Sequence, residues 1–179
     1  MPEPDTEIDL DALHQAILDA IAAQFPALTT VADYPEDRAQ MISPACLVEL
    51  IDLEPTGEDP GTGQLAALAR FSARIVLGFR TPSGEREVRK LAGALAAFVH
   101  QQRWGLPIAP AEVTAIEPDD FEPQLDRFLV WSVQWAQVVH LGASVWTNDG
   151  AIPQALFSFT PYIGVPNEPA YQPIEDPGL

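Results

Sequence analysis

Arg70 and Arg74 stand four residues apart in LAALARFSARIVLGF, a stretch that alternates apolar and polar residues, so both guanidinium groups project from one side of a strand. Permanently charged, forked donors at that spacing suit a phosphate or a carboxylate. They equally fit an exposed sheet face, salt bridges to the chain's own carboxylates, or the acidic loop of a neighbouring subunit. On an acidic protein an uncovered arginine row is a complementary patch, and the expectation drawn is that Arg70 and Arg74 meet acidic groups across a subunit boundary. Other constellations carry less. His14, His100 and His140 fall on a helix, a helix end and a strand, without metal-ligand spacing. Asp119 and Asp120 are adjacent in a loop and read as a solvated turn, because an acid/base pair needs environments that separate two pKa values. No nucleophile elbow, phosphate loop or dinucleotide fingerprint is present, and the glycines at 57, 61 and 63 lie between strands, the wrong context for a phosphate cradle. Catalytic residues, cofactors and metal ligands are therefore expected to be absent.

The formal charge of −17 over 179 residues opposes binding to phosphate backbones, which needs clustered Lys and Arg to displace counterions. No apolar run approaches the roughly 18–20 residues of a spanning helix, and MPEPDTEIDL is acidic where a secretory signal is basic, so no membrane partner and a cytosolic site of folding are expected. Cys46 is the single cysteine, which excludes an intrachain disulfide; it reads as a small buried hydrophobe.

Leu10, Leu13, Ile17, Ile21 and Phe25 recur at helical spacing, with Thr6 or Asp9 as N-cap and Pro26 as the stop. Thr30 to Tyr34 and Ala45 to Leu53 read as strands. Glu54 to Gln64, EPTGEDPGTGQ, is a long polar loop that reads as a contact element, with Glu54, Glu58 and Asp59 as its charged groups. After the strand from Leu65 to Phe79, Ser83 is the expected cap of a second helix from about Glu85 to Arg103, with Val88, Leu91, Leu95, Phe98 and Val99 as its stripe. Ala109 to Glu117 reads as a weaker strand, and Arg127 to Leu141 as a second long one whose Trp131 and Trp135 face the core. Beyond Gly142 prolines recur, but Trp146, Phe157, Phe159, Tyr162 and Tyr171 are too many aromatics for a solvated linker. The expected architecture is α/β of the α+β type: a mostly antiparallel mixed sheet with two helices on one face, in a domain of residues 1–141. An extended arm of residues 142–179 follows, anchored by Trp146, Phe157, Phe159 and Tyr162 on its own domain or a partner subunit.

This order of elements resembles the tail terminator and tail completion proteins of tailed bacteriophages. The segments RFSARIVLGF, EREVRKLAGALAAFVHQQRWG, WSVQWAQVVHLG and VWTNDGAIPQALFSFTPYIG are similar to the versions in Mu-like phages and prophages, over roughly residues 8–163. The resemblance implies a virion ring, usually of six copies, at the head-proximal end of the tail, assembled in the host cytoplasm. Its implied partners are further copies of itself, the tail tube protein, the head–tail connector or stopper protein, and the sheath protein where the tail is contractile. DNA is expected to pass through the lumen without specific binding, since a negatively lined channel repels it. Another neck or minor tail protein, or a cytosolic small-molecule or protein-binding module, fits the same residues.

Overall fold

The computed structural model describes residues 7–34, 42–119, 128–145 and 156–173. They fall into two compact units, one within Pro4–Trp146 and one within Thr147–Leu179. In the first, α1 (Leu10–Gln24) begins at Asp9, whose Oδ1 accepts from the N–H groups of Asp11 (2.8 Å) and Ala12 (3.1 Å). Then come β1 (Thr30–Asp33), β2 (Ala45–Pro55), β3 (Leu65–Gly78), α2 (Gly84–Val99), β4 (Glu112–Pro118) and β5 (Phe128–Leu141). The sheet runs β1-β2-β3-β5-β4, with β1 parallel to β2 and every other pairing antiparallel. Since β3 and β4 both oppose β5, they are parallel to each other, and α2 carries the chain across β5 between them.

Both helices pack on one face, as the single apolar stripe of each requires. Leu13, Ile17 and Ile21 of α1 and Val88, Leu95 and Val99 of α2 join Phe71, Ala73 and Ile75 of β3 with Val133 and Trp135 of β5 in one core. Trp135 is fully buried and stacks on Phe71, their centroids 5.4 Å apart, while Trp131 is half-buried at its margin. A smaller apolar cluster of Ala45, Leu47, Val76 and Val130 occupies one end of the far face.

Helix α2 ends at Val99, where its apolar stripe ends, rather than at the expected Arg103. Gln101 adopts φ 70° and donates its N–H to the carbonyl of Ala111 at 2.8 Å, while Ala111 donates to Gln102 at 2.8 Å, so the chain leaves the helix to pair ahead of β4. Ser83 makes no side-chain cap, because it sits in the left-handed region at φ 55°. Charge alone, from Glu85 and Glu87, complements that helix end.

Two one-residue register shifts decide which acids face away from the helices. Leu50 pairs with Phe71 but Asp52 with Arg70, so Ile51 is extra; beyond it Leu53 returns to the core side, and Asp52 and Glu54 join the far face. Without that bulge Asp52 would oppose Ala69 in the core. In β4 the shift between Val113 and Ala115 likewise sets Glu117 opposite Ser132 on the far face. A slip of one residue inverts every following side chain, so burying a carboxylate is the penalty that fixes both bulges.

Cys46 lies in the core, where burial pushes its thiol up to about 12 from an ordinary 9.0. The unfolded thiol ionises near its ordinary value. Its contribution to stability is therefore whole below about pH 9 and is lost as pH rises toward about 12, by about 1.4 kcal/mol per pH unit. Urea midpoints of the parent chain and Cys46→Ala should converge over that range; parallel curves would show that the thiol does not titrate with unfolding.

Candidate functional site

The far face of the sheet brings the arginines to carboxylates of their own chain. Arg74 donates from Nη1 to Glu49 Oε2 at 2.6 Å and from Nε to Asp119 Oδ2 at 2.8 Å, and its guanidinium carbon lies 4.2 Å from the Tyr34 ring centroid. The side chains of Arg74 and Asp119 are each only 15% exposed. Burial by itself would lower the arginine's pKa, but the hydrogen bonds to Glu49 and Asp119, with the charges of Tyr34 and Glu49, hold it above its ordinary value. Arg70, more open, lies 3.1 Å from Glu54 Oε2 and 3.8 Å from Asp52 Oδ2. Between the two arginines the hydroxyls of Ser72 and Ser132 sit 3.3 Å apart, buried.

The expectation of an uncovered arginine row is thereby corrected: internal salt bridges, one of the readings open from sequence, are what forms. The physical reason is cross-strand adjacency. Asp52 lies directly opposite Arg70, and Glu49, opposite Ser72, is a diagonal neighbour of Arg74. Asp119 is likewise a partly buried ion-pair partner rather than a solvated turn residue. Asp120 and Trp146 lie outside the described residues. Glu49, Asp52 and Tyr34 are the members that sequence reasoning missed; alternation could have flagged Glu49, but nothing local marks the others.

The polar loop is shorter than its composition suggests. Glu54 and Pro55 still belong to β2, and the Thr56 N–H donates to the Ala66 carbonyl at 3.0 Å. At the other end Gln64 is buried and donates from Nε2 to the Gly142 carbonyl at 2.7 Å. Gly63, at φ 75°, sits so close to Val145 that an added Cβ would lie 2.6 Å from its Cγ1. Glu58 and Asp59 are exposed at the tip, where Asp59 accepts from the N–H of Gly61 at 2.8 Å.

A groove of about 440 Å³ opens where α1 meets β1 and β2; Asp11, His14, Asp33, Tyr34 and Glu49 are among its lining residues, and among the described residues no Lys or Arg lines it. His14 Nε2 lies 2.6 Å from Asp33 Oδ1, within ion-pair distance though not aligned as a hydrogen bond. A histidine oriented by a carboxylate can shuttle protons only where a reacting group meets it, and among the described residues the lining holds no Ser, Thr, Cys or Lys. Among the described residues no group of three or more His, Cys, Asp or Glu is placed to hold a metal ion.

In the second unit β6 (Leu156–Phe157) pairs antiparallel with β7 (Gln172–Pro173), and a 3-10 helix spans Val165–Ala170 between them. The segment thus folds back on itself, with the Gly164 N–H donating to the Tyr171 hydroxyl at 2.9 Å and Phe157 meeting Phe159 edge to face. Even so, Leu156, Phe157, Phe159, Tyr162, Ile163 and Val165 are all exposed, Phe159 to 74%. No protein-family model and no curated protein matches the chain.

Proposed function

We propose that this chain is a structural virion protein, the subunit of a ring of about six copies that caps a phage tail tube, ends its polymerisation and joins the tail to the head-side connector. The observation that carries the reading is the row of six large apolar side chains exposed on the C-terminal unit. A lone acidic protein has no use for such a surface, whereas a subunit seated among partners does. The element order that carries the phage resemblance is the order the fold realises, which supports the same reading, as does the exposed acidic tip at Glu58 and Asp59 in the loop between β2 and β3. The partners are further copies of the chain, the tube protein, the connector, and the sheath protein of a contractile tail. A ring of six carries a formal charge of about −102, which favours passage of DNA over adhesion to it.

Particles made with a chain lacking Glu58–Gly61 test this reading. Because loop length enters folding entropy only logarithmically, about 0.6 kcal/mol per doubling, and because Gln64 and Gly63 keep their anchors, the thermal midpoint should move by no more than about two degrees. Electron micrographs should then show tails of irregular length unattached to heads, while the parent chain labels the head-proximal tail end. Normal joined particles from the shortened chain would remove the loop from assembly, and label elsewhere on the virion would make the chain another neck or minor tail protein. No label on particles would favour a free binding module.

A further inference from the structure

We infer that two copies of this chain join head to tail, the basic stripe on α2 of one copy entering the acidic groove between α1 and β1 of the next. The inference rests on the ring reading and names the contact that would close such a ring. Arg86, Arg89 and Lys90 occupy positions i, i+3 and i+4 of α2 and are all exposed, so they form one stripe, which Arg80 extends in the turn before the helix. Four of the chain's nine Lys and Arg residues are gathered here. Arg80 and Arg86 form no ion pair among the described residues; Lys90 pairs only with its helix neighbour Glu87, on a side chain 63% exposed. Arg89 donates from Nε to the exposed Glu85 carbonyl at 2.9 Å, and among the described residues this stripe carries exposed cations that no carboxylate of another element pairs, whereas Arg70 and Arg74 are consumed on the far face of the sheet.

The groove is the opposite surface. Asp11, Asp33 and Glu49 border it, no Lys or Arg lines it among the described residues, and the half-buried Leu10 and Leu50 give it an apolar wall against which an arginine stem can lie. Glu49 is engaged by Arg74, which leaves Asp11 and Asp33 as the outward-facing acids, Asp33 being 75% exposed. Placement in the fold makes the match directional. Helix α1 packs beside β1 at one edge of the sheet, whereas α2 packs over β3, β5 and β4 toward the other edge. Complementary surfaces on opposite sides of one subunit make a heterologous contact, which yields a closed ring when the rotation per subunit divides a full turn. A second copy is the occupant because it brings both halves of the match at the same concentration.

Charge swapping tests the contact. The full chain, Arg86→Glu/Arg89→Glu, and Asp11→Lys/Asp33→Lys should be followed by light scattering and native mass spectrometry at low and physiological salt, with thermal midpoints recorded for each. Each double variant should associate about tenfold more weakly than the parent at low salt, with a smaller deficit as salt screens the pair. An equimolar mixture of the two variants should recover association, because each then presents the partner's complement. Arg86→Gln/Arg89→Gln, which removes charge without reversing it, serves if a reversal variant is poorly folded and should show the same direction. Parent rings together with undiminished association of the variants would overturn this contact and leave the ring reading standing. A parent chain that stays monomeric at its highest soluble concentration would overturn the ring reading and this contact together.

Discussion

Replacing Arg74 with methionine should destabilise the protein by about 3 kcal/mol, the low end of what removing one partner from a buried ion pair does. The stem of methionine fills much of the same space, so the loss reports charge rather than volume. Its origin is the pair left behind: Asp119, 15% exposed, and Glu49 would face each other across a partly dry site with no cation between them. The estimate sits at the low end because Glu49 keeps 38% of its surface and can turn toward water. Adding Glu49→Gln and Asp119→Asn should restore most of the loss, since a neutral hydrogen-bonded cluster no longer needs the guanidinium. The urea midpoint measures both effects; a loss below about 1 kcal/mol for Arg74→Met would place the cluster with solvated surface pairs. The arginine brings no pH dependence of its own in the neutral range. Its folded pKa is raised above its ordinary, already strongly basic value, so its contribution is complete below that ordinary value and is lost only as pH climbs through the higher folded one.

Trp135→Ala should destabilise more, by about 3–5 kcal/mol, a large fraction of the roughly 5–15 kcal/mol that holds a domain of this kind together. Trp135 is 0% exposed, stacks on Phe71 with an interplanar angle of 13°, and has Trp104 at 6.2 Å, so truncation leaves a cavity walled by aromatic rings that cannot collapse into it. Trp135→Phe should fall well short of that loss. Its indole Nε1 has no hydrogen-bond partner among the described residues, so phenylalanine forfeits packing and no polar contact. Trp131→Ala, at the half-buried neighbouring position on the same face, should lose less than Trp135→Ala. Chemical denaturation of the three variants, read by far-UV circular dichroism, checks the order. Equal losses at 131 and 135 would mean that the β5 tryptophans share one environment, contrary to their burial.

Helices α1 and α2 and strands β3 and β5 were legible because each carries a period long enough to exceed accident. Of the eight residues from Leu65 to Phe79 that alternate onto the core face, the six from Ala67 to Leu77 are buried, while Leu65 at the strand's start and Phe79, beyond its last residue, are exposed. The far face was legible in kind but not in pairing. Charged residues alternate with core residues in β3, so an arginine stripe could be read, yet the carboxylates that meet Arg74 lie 25 and 45 positions away in sequence. Nothing in a stretch of sequence states which distant strand will lie beside it.

The two bulges show where the division falls. The residues Leu50, Ile51, Asp52 and Leu53 interrupt alternation, and taken alone they end a strand as readily as they bulge one. Only pairing against a continuous β3, which must keep Phe71 and Ala69 inside, makes the bulge the cheaper solution and turns Asp52 and Glu54 toward Arg70. The sequence by itself determined the elements, the acidic balance, the buried thiol and the face each amphipathic segment must hide, because these follow from side-chain type and local period. Tertiary structure alone decided that the arginines of β3 are satisfied within the chain, that the basic stripe of α2 is left available, and that an acidic groove stands on the α1 side of the sheet. Those outcomes depend on strand order and register, which are set by the packing of segments far apart in the chain rather than by the residues of any one segment.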